Sequence, residues 1–155
     1  MSFEIEEQYM EMAIVEGHKA GALLEVPIGC VIEYQGQVIG RGYNMRNTKK
    51  SALGHAEITA IEQATAFMND WRLEDCTMYV TVEPCPMCAG AILQSRMTNL
   101  VIGTMNPKAG CVGSIYNLLD DERFNHKVNV VSGVMGDACR HQMQSFFRQL
   151  RENKK

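Results

Sequence analysis

Two short segments of the 155-residue chain carry residue types that hold and use a metal: His55-Ala56-Glu57 and Pro84-Cys85-Pro86-Met87-Cys88. Each falls where a helix is expected to begin, after a loop or a strand. Three residues apart on a first helical turn, Cys85 and Cys88 present their sulfurs on one face and can share a cation. The positive end of the helix and the cation both favour thiolate over thiol. His55 supplies a third ligand from the other helix start. One imidazole and two thiolates leave a Zn2+ site near neutral with one tetrahedral position open, as in catalytic zinc; structural zinc is closed by four ligands. Glu57 is the informative neighbour, because an activated water needs a proton acceptor and carrier, and a structural zinc does not.

Each segment alone is weak. A solitary Cys-x-x-Cys also serves redox chemistry, and glutamate at a helix start is common for dipole reasons. Their combination, with proline before the first cysteine, is far more specific.

The elements that must position these residues follow from apolar spacing. Residues 2–24 place Ile5, Tyr9, Met12, Ala13, Ala20 and Leu23 near helical spacing, with Ser2 in a capping position, and Pro27 ends the pattern. Apolar runs at 28–34 and 38–43, separated by Gln35-Gly36-Gln37, read as a β-hairpin. The polar stretch 44–54, with Arg46, Lys49 and Lys50, reads as an exposed loop. Helices are expected at 55–68, 86–96 and 136–152, strands at 76–82, 100–103 and 128–131, and a helical turn at 115–120. The stretch 104–114, with two glycines, reads as a loop. Alternating strands and helices imply an α/β fold whose central sheet is covered on both faces. With no repeat and no linker, residues 1–155 read as one domain.

Composition narrows the class further. At 46% apolar and 21% charged the chain is of ordinary globular type. Its apolar runs fall far short of the roughly 18 residues of a membrane span, and its acidic start lacks a secretory pattern. A cytoplasmic protein with no membrane partner is the expectation. In a reducing compartment Cys-x-x-Cys means metal or redox chemistry, while Cys30 and Cys76 sit in apolar runs and read as core. The net charge of −3 is polarised. Residues 1–33 carry seven acids against Lys19 alone, and residues 123–155 carry seven cations against Asp137 and Glu152. Near the chain's end Phe146, Phe147, Arg148 and Arg151 combine aromatics with cations, which suits stacked single-stranded bases and phosphates. The plainer alternative is a solvated tail, with at least one of the two phenylalanines in the core.

H-x-E…P-C-x-x-C is the known signature of zinc nucleobase deaminases. Beyond it, the chain resembles the bacterial tRNA-specific adenosine deaminases of the cytidine/deoxycytidylate-deaminase-like superfamily. The matching segments include Glu25-Val26-Pro27-Ile28-Gly29, Asn44, Gly54-His55-Ala56-Glu57, Trp71-Arg72-Leu73, Thr81-Val82-Glu83-Pro84-Cys85-Pro86-Met87-Cys88-Ala89-Gly90-Ala91, Pro107-Lys108-Ala109-Gly110, Gly113-Ser114 and Phe146-Phe147. The resemblance implies a three-layer α/β/α cytidine-deaminase-like fold with a five-stranded mixed sheet, working as a homodimer on a tRNA anticodon stem-loop. It implies hydrolysis of adenosine to inosine at the wobble position. His55, Cys85 and Cys88 would hold one Zn2+ per subunit, and Glu57 would carry protons. Asn44 and the Ala56 backbone N–H would face the flipped-out base, and Lys108 would lie at the RNA. Where the family commonly has an aspartate facing a ribose 2′-hydroxyl, this chain has Asn106, an acceptor without the negative charge; that loosens the expected preference for RNA over DNA. Two other readings stay open on residues alone: a small-molecule deaminase of the same fold, and a zinc-stabilised nucleic-acid-binding module without catalysis. The basic C-terminal stretch favours a large anionic substrate, and Glu57 favours catalysis.

Overall fold

A computed structural model describes residues 3–154. Helix α1 (Glu7–Ala22) precedes a hairpin of β1 (Gly29–Tyr34) and β2 (Gln37–Tyr43). The short α2 (Arg46–Lys49), α3 (Ala56–Met68), β3 (Thr77–Val82), α4 (Pro86–Gln94) and β4 (Asn99–Thr104) follow. A 3₁₀ turn (Leu118–Asp120), β5 (Asn129–Ser132) and α5 (Gly136–Glu152) complete the chain. The expected order holds, with two differences. Helix α1 starts at Glu7, capped at Glu6, and the expected cap Ser2 lies outside the described residues. The loop expected at 44–54 contains α2, whose first backbone N–H groups are held by a buried carboxylate described below.

The sheet order is β2-β1-β3-β4-β5. Strand β1 is antiparallel to both β2 and β3, and β3, β4 and β5 run parallel. Alternation along the strands sends side chains to two separate cores. Cys30, Ile32, Met78, Val80, Leu100 and Ile102 join Ala56, Ala60, Ala64, Ala89 and Ile92 from α3 and α4 on one face. Val31, Tyr79 and Val101 join Tyr9, Met10 and Ala13 from α1, and Cys139 from α5, on the other. The three-layer α/β/α arrangement with a five-stranded mixed sheet is therefore present. Cys30 and Cys76 are core residues, as their apolar neighbours imply.

Strand directions explain where a site forms. Because β1 runs against β2 and β3, the entry to β1 lies at the same sheet edge as the exits of β2, β3 and β4. Ligands of open α/β sheets bind outside the carboxyl ends of the parallel strands, and here that edge collects residues 26–28, 44, 83–85 and 106. Helix α3 reaches the edge because Gly40 and Gly42 of β2 let it lie directly on the strand. A Cβ at Gly42 would overlap the Ala56 carbonyl and stand 2.8 Å from Thr59 Cβ.

Gly42→Ala should therefore lift the start of α3 from the sheet. Overpacking of this kind costs about 1–3 kcal/mol, which corresponds to a fall of roughly 3–10 °C in the thermal midpoint at this chain length. Circular dichroism melting checks it.

Candidate active site

His55 caps the N-terminus of α3, and Cys85 caps that of α4. Pro86 occupies the first turn of α4, where its missing N–H costs nothing. The two helix starts abut. His55 Nδ1 lies 3.6 Å from Cys85 Sγ and 3.5 Å from Cys88 Sγ, and the three ligand atoms fall within 4.8 Å of one another. Tetrahedral bonds of about 2.3 Å to sulfur and 2.0–2.1 Å to nitrogen separate such atoms by about 3.6 Å. The trio fits a tetrahedral metal.

The electrostatics agree with that use. Hydrogen bonding to Cys88, with help from His55, pulls the Cys85 thiol down to about 4. The bond to Cys85, together with burial, pushes the Cys88 thiol up, and the bond to Cys85 raises His55. A cation between the sulfurs would favour both as thiolates. Glu57 stands one residue into α3, 4% exposed, and burial pushes its carboxyl up to about 7.

A cavity of about 170 Å3 opens beside the trio. Asn44, His55, Ala56, Glu57, Cys85 and Asn106 line it, together with Arg46, Glu83, Ala109 and an apolar flank of Val26 and Ile28. Asn44 is held from behind: its Nδ2 donates to the Val26 carbonyl at 3.2 Å, and its Oδ1 accepts from the Arg46 N–H at 3.2 Å. The Oδ1 bond to the N–H two residues on is an Asx turn, and it leaves Asn44 in the cavity wall.

A family profile described as MafB19-like deaminase matches residues 4–151. The chain belongs to that family. The deaminase is 48% identical over 150 residues to a tRNA-specific adenosine deaminase of Bacillus subtilis (strain 168), covering 97% of this chain and 93% of the relative. It is 46% identical over 157 residues to one of Streptococcus pyogenes serotype M1, covering 100% and 92%. Among solved structures it superposes with a TM-score of 0.85 and 36% identity on a chain from a study of A-to-I editing by tRNA:A34 deaminases at the wobble position of transfer RNA. The match covers 88% of this chain and 99% of that one. The resemblance carried by the sequence motifs is borne out, and the deaminase is a hydrolytic enzyme acting on a C–N bond.

Other expected site residues lie outside the cavity. Lys108 is exposed on the loop after β4. Helix α5 passes both flanks of the site: Arg140, Met143 and Gln144 share a hollow with Asn106 and Pro107, while Phe146 lines a groove against α1 and Pro27. The expectation that at least one phenylalanine is core does not hold. Phe146 is half-buried and Phe147 is 38% exposed. The buried residues of α5, Cys139 and Gln142, lie in its first half, and the later turns reach beyond the sheet it covers. Arg148 and Arg151 are exposed on those turns.

Residue types alone did not point to Glu25 and Glu83, two buried carboxylates, of which Glu83 lines the cavity and Glu25 stands behind its wall. Glu25 accepts from the Thr48 N–H at 2.5 Å, the Thr48 hydroxyl at 2.7 Å and the Asn47 N–H at 3.2 Å, fixing the loop that carries Asn44 and Arg46. Glu83 does the same for the opposite wall. The available signal was position: each is an acid set among apolar residues one or two positions before a proline.

Burial pushes the Glu25 carboxyl up, but the Thr48 and Asn47 bonds outweigh it and hold it below the ordinary carboxylate range. Its stabilisation is present above the unfolded value of about 4.3 and is lost as pH falls through the lowered folded value. Glu25→Gln should lower stability at neutral pH by about 1.5–3 kcal/mol. The gap from wild type should narrow below about pH 4, as read by melting curves from neutral to acid.

Proposed function

We propose that this deaminase hydrolyses adenosine to inosine at the wobble position (34) of a tRNA anticodon, releasing ammonia, with one zinc per subunit held by His55, Cys85 and Cys88. The observation that carries the reading is the buried Glu57 beside a ligand trio at tetrahedral spacing, in a small cavity outside the strand ends. The names of the similar proteins supply the substrate class. When bound, the zinc supplies an activated water as nucleophile for C6 of the flipped-out adenine.

Glu57 moves the protons. It takes one from the water and delivers it to N1. It then takes the second from the hydroxyl added at C6 and carries it to the exocyclic amine, whose bond to C6 breaks as it leaves as ammonia. A carboxyl near 7 can accept and release at neutral pH. Asn44 offers its remaining N–H and lone pair to the base edge. The Ala56 N–H, one of those a helix start leaves without an intrahelical partner, faces the same edge. Asn106 meets the sugar and Lys108 a nearby phosphate. Phe146, Phe147, Arg148 and Arg151 engage the flanking single strand, a reading supported by the course of α5 past both flanks of the site.

We further propose a single deaminase domain over residues 1–155, working in the cytoplasm as a homodimer. Among the described residues no helix is long and apolar enough to cross a membrane. Exposed apolar side chains at Leu53, Ile115 and Tyr116 support an interface with a second copy.

Cys88→Ala should lose the metal. Glu57→Ala should keep it yet lose about 10²–10⁴-fold in turnover. Metal analysis and inosine formation on an anticodon stem-loop separate the two, and full zinc in Cys88→Ala would sink the ligand assignment.

Affinity for that stem-loop should fall steeply with salt, and removing residues 148–155 should weaken binding and flatten the salt slope. Unchanged binding would leave the basic tail a solvated surface.

A further inference from the structure

The wall opposite α2 is a loop between β4 and the 3₁₀ turn, and it supplies Asn106 and Ala109 to the cavity. Its anchor is Glu83, the residue after β3, which is 3% exposed. Glu83 Oε1 accepts from the Asn106 N–H at 2.9 Å and from the Ser114 hydroxyl. Oε2 accepts from the Val112 and Ser114 N–H groups, each at 2.9 Å. Oε1 therefore ties the cavity end of the loop to Ser114, and Oε2 serves the far end alone. Gly110 lies against the carboxylate so closely that a Cβ there would overlap Glu83 Oε1. Asn106 is fixed at two further points, its carbonyl accepting from Gly110 N–H at 2.8 Å and its Oδ1 from Lys108 N–H at 3.2 Å. Its amide keeps unused hydrogen-bonding capacity.

We infer that Glu83 is a positioning residue for substrate recognition, which acts through Asn106 by holding that residue's backbone at the cavity wall. The inference rests on the proposed contact between Asn106 and the sugar of the target nucleotide. A carboxylate is needed because all four of its loop partners are donors. A glutamine could keep its oxygen toward Val112 and Ser114, and the serine hydroxyl could turn to accept from its NH2. The Asn106 N–H would then face a second donor and lose its partner. Glu83→Gln thus releases the cavity end of the loop and leaves the far end tied.

The test compares wild type, Glu83→Gln, Asn106→Ala and the double variant on an anticodon stem-loop RNA, reading KM, kcat, RNA affinity without turnover, and zinc content. Glu83→Gln should raise KM and Kd about tenfold, with zinc content unchanged and kcat within about twofold. The double variant should be no weaker than Asn106→Ala alone. Ser114→Ala, which keeps the carboxylate and removes one bond to Oε1, should raise KM about threefold; it carries the test if Glu83→Gln does not fold. Unchanged KM and Kd in either variant, additive losses in the double variant, or a fall in kcat accompanied by zinc loss would each overturn the inference. A wild-type protein that converts no adenosine would overturn the functional reading, while the RNA affinities would still decide the role of Glu83.

Discussion

Bringing one imidazole and two thiolates to within 4.8 Å requires two helix N-termini to meet at one sheet edge. The fold serves that constraint. Helix α4 can start there because β3 ends there, and Pro86 opens the helix without wasting a donor. Helix α3 arrives from the neighbouring hairpin, and only the missing side chains at Gly40 and Gly42 let it lie low enough on β2. The antiparallel start of β1 then brings Val26 and Ile28 to the same edge as an apolar flank for the cavity.

Three buried glutamates around this cavity show how environment assigns roles to one residue type. Glu25 and Glu83 each receive several backbone N–H and hydroxyl bonds and are held below the ordinary carboxylate range despite burial. They anchor the two walls at backbone N–H groups that have no partner within a helix or strand. In Glu57 burial prevails, and its carboxyl rises to about 7. Hydrogen bonding thus decides the first two carboxyls, and burial decides the third. A buried polar group without such partners would weaken the walls it is meant to hold.

Charge polarity has a structural counterpart in α5. Its first half closes the second core through Cys139, and its later turns carry Phe147, Arg148 and Arg151 exposed to solvent. The helix therefore joins a packing surface to a basic surface that suits a phosphate-rich ligand.

Residue types and spacing alone predicted the order of the elements, the trio His55, Cys85 and Cys88 that can hold a metal, and the carboxylate beside it. Those features are local: a ligand pair three residues apart and a proline at a helix start are fixed by helix geometry itself. The family resemblance added Asn44 and Asn106, which the cavity does contain. Only the tertiary structure decided that Glu25 and Glu83 hold the walls, that Lys108 stands outside the cavity and that neither Phe146 nor Phe147 is core. An acid's role depends on which backbone donors a distant loop turns toward it. A phenylalanine's burial depends on how far its helix runs past the sheet. Both are set by contacts 20 to 130 residues apart in the chain, such as Glu25 with Thr48 and Gln142 with Ile14, and local spacing carries no record of them.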